Sequence, residues 1–258
     1  MYLKYNEVPI FCETFGQGPA IVLLHGFLES STMWESLVST ISENYTVVTL
    51  DFPGLGKSGV ISEIHSMELM ADVVISVLEH LKIDRATFIG HSMGGYVMLA
   101  LTEKYEDKVE KLAFLNSSSF ADSEERKEIR DRAVRLVEKN SKAFIRMAIG
   151  NWAGENSRKV FASEIENLKN QAHSFPVKGI TAALKEMRDR KDRTDVLANF
   201  SGPKYMLLAE DDPIIPLYKN LELAKKSEVV TEVISGGHMS TIENKAALEN
   251  FVCSILKI

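Results

Sequence analysis

Short apolar segments alternate with amphipathic helical patterns along most of the chain, and this alternation strongly constrains the fold. Six of these segments have the length of a strand and little polar alternation, which is typical of parallel strands covered on both faces. They span residues 20–24, 46–50, 86–89, 112–115, 205–208 and 229–234. The clearest helical pattern lies between residues 69 and 81, with its apolar residues on one stripe. Strands that alternate with such helices predict right-handed βαβ crossovers and a doubly wound α/β sheet.

Two parts of the chain depart from this alternation. Residues 2–5 and 9–15 are predicted to pair as an antiparallel hairpin at the edge of the sheet. No strand pattern occurs between residues 115 and 205, where helical patterns cover about 122–139, 142–150, 157–173 and 176–188. We interpret residues 119–200 as a helical cap, or lid, inserted into a core that comprises residues 1–118 and 201–258. The cap has 17 basic and 13 acidic residues, a net charge of +4, whereas the core has 13 and 23, a net charge of -10.

Composition excludes several classes of protein. The chain has 258 residues, of which 45% are hydrophobic and 26% charged, and this balance excludes a disordered chain or a disulfide scaffold. The net charge of -6 gives no field that would gather nucleic acid. No apolar run approaches the roughly 18 residues of a membrane helix, and the N-terminus lacks a signal-peptide pattern. We therefore expect a cytoplasmic location, no membrane or nucleic-acid partner, and reduced thiols at Cys12 and Cys253.

The segment Gly90-His91-Ser92-Met93-Gly94-Gly95 follows a predicted strand and precedes a predicted helix. A serine on such a sharp strand-to-helix turn has its hydroxyl lifted clear of the sheet, and the flanking glycines leave room for the turn. Ser92 is therefore the candidate nucleophile. We expect its neighbour His91 to point away along the turn.

A serine hydroxyl needs a general base, and the base needs an orienting group. Asp212 follows the strand at 205–208, and His238 follows the strand at 229–234, so both lie just past the carboxyl ends of parallel strands. The chain order of Ser92, Asp212 and His238 is the order that a nucleophile-elbow fold requires.

Catalysis at a carbonyl also needs donors for the developing negative charge. The backbone N–H of Met93 lies at a helix N-terminus directly after the candidate nucleophile. The second donor is predicted to be the N–H of Phe27, in the loop His25-Gly26-Phe27-Leu28 after an early strand. We expect His25 to brace this loop.

These motifs, together with the segment at residues 51–58 (DFPGLGKS), resemble those of the α/β-hydrolase family, in its group with a helical cap. The resemblance covers nearly the whole chain. It implies an α/β-hydrolase fold with a mostly parallel, eight-stranded sheet, a Ser–His–Asp triad, a lid and no cofactor. Ala209 departs from the family pattern, which usually has glycine there, and this leaves Asp211 open as an alternative to Asp212. The spacing from Asp212 to Pro216 fits the family turn better.

Two alternatives belong to other functional classes. Residues 54–59 match Gly-x-Gly-x-x-Gly, the pattern of dinucleotide-binding oxidoreductases. However, Val60-Ile61-Ser62 follows this segment, and the next helical pattern begins only near Ser66. The acidic residue expected about 20 positions further on, Glu79, lies in a helical pattern rather than at the end of a strand. A catalytically inactive binding module on the same fold is the other alternative. No cluster of metal-ligand spacing is found, so we predict no metal site.

The sequence thus predicts a serine hydrolase that cleaves a carboxylic ester of a small or medium-sized molecule through an acyl-enzyme. The residues expected to bind substrate are Phe27, Leu28, Phe120, Phe144, Met147, Trp152 and Met239. Relatives with the same triad hydrolyse C–C bonds, enol-lactones or thioesters or perform perhydrolysis, and triad residues do not separate these reactions. A preference of the basic cap for anionic substrates, and the oligomeric state, stay open.

Overall fold

The computed structural model describes all 258 residues except the side chains of residues 155 and 156. Its strands form one sheet in the order β1-β2-β4-β3-β5-β6-β7-β8. They are β1 (Tyr2–Tyr5), β2 (Val8–Phe15), β3 (Ala20–Leu24), β4 (Thr46–Leu50), β5 (Ala86–His91), β6 (Val109–Leu115), β7 (Lys204–Ala209) and β8 (Val230–Ile234). The hairpin of β1 and β2 pairs antiparallel with β4, and the strands from β3 to β8 are parallel. The predicted mostly parallel, eight-stranded sheet is confirmed.

The helices lie between the strands, as the alternating pattern predicts. They are α1 (Glu35–Ile41), α2 (Met67–His80), α3 (Met93–Lys104), α4 (Glu124–Trp152), α5 (Glu155–Val160), α6 (Ala162–Ala172), α7 (Val177–Asp189), α8 (Thr194–Asn199), α9 (Leu217–Lys226), α10 (Ser240–Glu243) and α11 (Lys245–Leu256). Short 3-10 turns occupy Ser31–Trp34 and Glu106–Lys108. The start of α2 illustrates the local signals, since the Ser66 hydroxyl accepts a hydrogen bond from the Leu69 N–H at 3.0 Å.

Helices cover both faces of the sheet, and β3 shows how its sequence serves both. Successive side chains of a strand point to opposite faces. Ile21 and Leu23 pack into the core beneath α1 and α11, whereas Val22 and Leu24 pack into the core beneath α2 and α3. All four side chains are fully buried. A strand covered on both faces needs a continuous apolar run, which is why β3 shows no polar alternation.

The segment between β6 and β7 is helical and contains α4 to α8. We use the name cap segment for residues 119–200. The two helices predicted on either side of residue 140 are confirmed: α4 comprises both, and they meet at a kink at Asn140, whose backbone is not helical (φ -159°, ψ 82°). The Asn140 side chain accepts a hydrogen bond from the Ala143 N–H at 3.1 Å, as a helix cap does, so the second half of α4 starts afresh. The helix predicted at 157–173 is instead divided into α5 and α6 at Phe161.

Within the described part of the chain, no helix combines the length and apolarity that a membrane crossing requires.

Candidate active site

The loops that follow five parallel strands converge at one edge of the sheet. Phe27 follows β3, Ser92 follows β5, Asn116 follows β6, Asp212 follows β7 and His238 follows β8. Open α/β sheets bind their ligands at this edge, beyond the carboxyl ends of the strands.

The turn at Ser92 is strained in the way that the sequence predicts. Ser92 has φ 47° and ψ -112°, a left-handed backbone conformation that residues other than glycine rarely adopt. A Cβ atom at Gly90 would lie 2.7 Å from the Gly94 carbonyl carbon, and one at Gly94 would lie 2.3 Å from the Leu24 carbonyl oxygen. Both positions therefore require glycine, because the atoms in the way belong to the backbone. The turn brings α3 against β3 and holds the Ser92 hydroxyl at the edge of the sheet.

Ser92, His238 and Asp212 form one hydrogen-bonded chain. The Nε2 atom of His238 lies 2.9 Å from the Ser92 hydroxyl, and its Nδ1 atom lies 2.9 Å from Oδ2 of Asp212. The carboxylate only accepts hydrogen bonds, so Nδ1 carries the proton and Nε2 is the acceptor that faces the serine. The three side chains are separated by 146 and 26 positions in sequence, and all three are buried.

Asp212 is held as a charged acceptor. The N–H groups of Ile214 and Ile215 donate to its Oδ1 at 2.8 and 2.9 Å, and the Asn116 amide donates to its Oδ2 at 3.0 Å. Burial raises the pKa of Asp212, but the charge of His238 and these hydrogen bonds outweigh burial and bring the pKa below its ordinary value. The alternative acid, Asp211, is exposed, and the structure pairs Asp212 with His238.

The His238 loop is fixed by groups that sequence reasoning missed. Glu243 accepts hydrogen bonds from the N–H groups on either side of the histidine, those of Gly237 at 3.0 Å and Met239 at 3.1 Å. Asn116 also donates to the Gly237 carbonyl at 3.2 Å. The only sequence signal for Asn116 is its place directly after a strand.

His91 does not leave the site, contrary to expectation. It lines the cavity, its ring lies 5.2 Å from the His238 ring, and its Nε2 bonds to the His238 carbonyl at 2.9 Å. Its Nδ1 lies 2.8 Å from the buried carboxylate of Glu29, which also accepts the Gly26 N–H at 2.8 Å. The expectation was wrong because the sequence around Ser92 does not indicate that the loop after β3, which carries Glu29, packs against His91.

The Glu29–His91 pair is buried beside the hydrogen-bonded chain of Ser92, His238 and Asp212. Burial lowers the pKa of His91, but the charge and hydrogen bond of Glu29 outweigh burial and raise it above the ordinary value. Burial raises the pKa of Glu29, and the charge of His91 lowers it below the ordinary value. Both shifts favour the ionised forms, and both ring nitrogens of His91 face acceptors, the Glu29 carboxylate and the His238 carbonyl.

The loop after β3 is braced from below. His25 donates from Nδ1 to the Gly26 carbonyl at 2.7 Å, and its Nε2 accepts the Phe52 N–H at 2.9 Å, so this buried imidazole is neutral. Burial lowers the pKa of His25, which favours that neutral form. The structure describes no protein acceptor for the N–H of Phe27 or for the N–H of Met93, the first residue of α3. These are the two N–H groups that the sequence predicts as oxyanion donors.

A cavity of about 590 Å³ opens over Ser92 and His238, between the sheet edge and the cap segment. Four of the expected substrate-binding residues line it: Phe27, Phe144, Met147 and Trp152. The expectation for the other three needs correction. Leu28 and Met239 are fully buried in the core and lie outside the cavity lining, and Phe120 lines a neighbouring cavity of about 160 Å³. Leu28 lies in a left-handed backbone position (φ 58°) that sequence alone does not reveal.

Among the described residues, no group of three or more His, Cys, Asp or Glu side chains is placed to hold a metal ion.

Comparison with known proteins decides the family. Residues 19–245 match the family model described as the alpha/beta hydrolase fold. The chain belongs to the α/β-hydrolase family. One curated relative of this α/β-hydrolase is "Putative carbamate hydrolase RutD" of Serratia proteamaculans, which is 27% identical over 87% of this chain and 85% of that protein.

Two solved structures illustrate the likeness of this α/β-hydrolase to known enzymes. A thermophilic esterase from Thermogutta terrifontis, solved with malate bound, superposes with a TM-score of 0.92 and 29% identity over 97% of this chain and 93% of that one. The enol-lactonase of Burkholderia xenovorans superposes over the full length of both chains with a TM-score of 0.93. Its 20% identity supports the fold alone.

Proposed function

We propose that this α/β-hydrolase is a serine hydrolase that cleaves carboxylic esters through an acyl-enzyme on Ser92. The observation that carries the proposal is the 2.9 Å contact between His238 Nε2 and the Ser92 hydroxyl at the floor of the cavity. This distance is within the reach of a general base that takes the hydroxyl proton.

In the first half of the reaction, His238 removes the Ser92 proton while the serine oxygen attacks the ester carbonyl. The tetrahedral intermediate carries a negative oxygen, which accepts hydrogen bonds from the N–H groups of Phe27 and Met93. The imidazolium of His238 then gives its proton to the departing alkoxide. The alcohol leaves, and the acyl group stays on Ser92.

In the second half, water takes the place of the alcohol. His238 removes a proton from this water, the hydroxide attacks the acyl-enzyme, and the proton returns to Ser92 as the carboxylic acid departs. Asp212 holds the imidazole in the tautomer that both halves need and stabilises its charged form. Its anchored carboxylate suits this role because it cannot turn away from Nδ1.

Two observations support an ester as substrate. The cavity next to Ser92 has apolar walls from Phe27, Phe144, Leu184 and Trp152, which suit the carbon chain of an acyl or alcohol group. The relative from Thermogutta terrifontis is named an esterase. A carbamate differs from an ester only in the nitrogen next to the carbonyl, so a panel of substrates should include both classes.

The test compares Ser92→Ala with Ser76→Ala, a matched loss of a hydroxyl that bonds only within α2. Hydrolysis of p-nitrophenyl butyrate should fall by about 10⁴-fold or more in Ser92→Ala and stay unchanged in Ser76→Ala. A Ser92→Ala protein that keeps near-normal turnover would refute the proposal.

A further inference from the structure

Three arginines of the cap segment surround one buried carboxylate, Asp122, which lines the smaller cavity next to the one over Ser92. Asp122 lies 3.1 Å from Nε of Arg130, 2.8 Å from Nη1 of Arg190 and 3.7 Å from Nε of Arg126. The Asp122 side chain is fully buried, so water does not screen it. Three guanidinium groups against one carboxylate leave this cluster with a net charge of +2.

The three arginines differ in what their remaining donors do. Arg190 donates from Nε to the Phe120 carbonyl and from Nη1 to the Met187 carbonyl, and it stacks on the Tyr96 ring at 4.1 Å, so both of these nitrogens bond within the protein. Arg126 donates from Nη1 to the Ile214 carbonyl at 2.8 Å.

Arg130 lines the cavity that contains Ser92, and only its Nε has a hydrogen-bond partner among the described residues. Its Nη atoms have no protein acceptor among the described residues. Because the side chain is only 17% exposed, water cannot fully hydrate these atoms either. Burial lowers the pKa of Arg130, although an arginine side chain stays protonated in proteins. A guanidinium in this state gains more from an anionic ligand than a surface arginine does.

Other charged groups of the cavity do not cancel this excess. Glu29 is bonded to His91 and Gly26, and the exposed Glu125 lies next to solvent. Arg132, which also lines the cavity, is exposed too.

The basic region continues beyond the main cavity. The neighbouring cavity shares Tyr96, Arg126 and Ile214 with it and adds Lys219 to its lining. Positive side chains therefore flank the space that leads away from Ser92 on the cap side.

We infer that Arg130 and Arg126 form a carboxylate-binding subsite, and that the preferred substrates are esters with a second, free carboxylate group. This inference rests on the proposed function and assigns its substrate class. A carboxylate can bond to the free Nη atoms of Arg130 with both oxygens, a geometry that arginine favours. The apolar cavity walls would cover the carbon chain between the carboxylate and the ester.

The test uses pairs of esters that differ only in charge. Monoethyl succinate, glutarate, adipate and pimelate are each compared with the ester in which a carboxamide replaces the free carboxylate, since the amide has the same size and no charge. Hydrolysis is followed by pH-stat titration. At the best chain length, kcat/KM should favour the acid by about tenfold to a hundredfold, the usual effect of a hydrogen bond to a charged group. Equal values for acid and amide at every length would overturn the inference.

Variants assign the effect to Arg130. Arg130→Met should abolish most of the preference of kcat/KM for the acid over the amide, whereas Arg130→Lys should keep part of it. Arg135→Met is the matched control, because Arg135 is exposed on the same helix and lies outside the cavity lining. An equal loss of preference in Arg135→Met would assign it to the general charge of the cap segment and overturn the subsite. If Arg130→Met does not fold, Arg126→Met takes its place. A smaller loss of the preference for the acid is then expected, because the Arg126 side chain is 37% exposed. An unchanged preference would overturn the role of Arg126.

A binding measurement separates failure of the subsite from failure of the proposed function. Calorimetric titration of Ser92→Ala with monoethyl adipate and its amide needs no turnover. Tighter binding of the acid without any hydrolysis by the wild type would refute the ester hydrolase and keep the subsite. Hydrolysis of both esters with equal affinities would refute the subsite alone.

Discussion

Replacing Asn116 by alanine should disturb the acid of the triad without touching the cavity. The Asn116 amide donates to Asp212 and to the Gly237 carbonyl, and its oxygen accepts the Ser240 hydroxyl at 2.6 Å. Asn116 is fully buried and does not line the cavity. The substitution therefore removes three hydrogen bonds from the groups behind His238 and no contact with substrate.

The structure sets the size of the expected effect. The bond to the charged Asp212 carboxylate is worth about 1.5 to 3 kcal/mol, and each neutral bond about 1 kcal/mol. Asn116 also has a left-handed backbone (φ 47°), which costs alanine about 1 kcal/mol more than asparagine. We expect the free energy of unfolding to fall by about 4.5 to 6 kcal/mol, the sum of these contributions. The value of kcat should fall about tenfold, because Asp212 keeps its two backbone donors and its bond to His238.

Urea unfolding and steady-state kinetics with p-nitrophenyl butyrate check both numbers. Asn220→Ala is the matched control, since Asn220 is equally buried but donates one bond, to the Pro216 carbonyl of its own helix cap. Asn220→Ala should lower the free energy of unfolding by about 1 kcal/mol and leave kcat unchanged. A loss for Asn116→Ala no larger than that of the control would refute the reasoning, and so would a change confined to KM.

The remaining predictions concern the turn at Ser92, the helix α4, Glu29 and Asp212. Gly94→Ala places a Cβ atom 2.3 Å from a backbone oxygen of β3, 1.1 Å short of the 3.4 Å of an ordinary contact, so it should cost about 2 kcal/mol or more in urea unfolding. Gly150→Ala in α4 meets nothing within 4 Å and should stabilise the fold by about 0.5 to 1 kcal/mol; the opposite order would contradict the packing described. Glu29→Gln should lower the free energy of unfolding most between pH 4.5 and 6.5. Because folding lowers the pKa of Glu29, its ionised form stabilises the fold fully above pH 4.5; because folding raises the pKa of His91, its protonated form stabilises the fold fully below pH 6.5. The loss should shrink as the pH falls through the folded pKa of Glu29 or rises through that of the histidine, and a loss independent of pH would rule out an ion pair. Asp212→Asn should lower kcat by about 10⁴-fold and Asp211→Asn hardly at all, and equal losses would reopen the choice of acid.

The sequence predicts the parts of the fold that local pattern determines. A strand buried on both faces must be apolar throughout, so β3 could be located from its residues alone. Ser92, Asp212 and His238 could be assigned to one site, because each follows a predicted parallel strand and ligands bind beyond the carboxyl ends of such strands. The kink in α4 at Asn140 was also predicted, because the helical pattern is interrupted there.

Groups brought together from distant loops could not be predicted. Glu29 lies 62 positions from His91, and nothing in either segment indicates their contact. Asp122 is similar, because its three arginine partners come from two helical regions whose packing the periodicity does not specify. Leu28 and Met239 were expected at the cavity from their neighbours in sequence, but their side chains point into the core.

The most direct test of the central claim is covalent labelling with an ethyl p-nitrophenyl alkylphosphonate, followed by mass spectrometry of the digested protein. The phosphonate reacts far faster with a hydroxyl that an adjacent base activates than with an ordinary one. The account predicts one adduct, on the peptide with Ser92, formed in step with the loss of esterase activity and far more slowly in His238→Asn. A protein that hydrolyses esters while Ser92 stays unlabelled, or that carries the label on another residue, would contradict it.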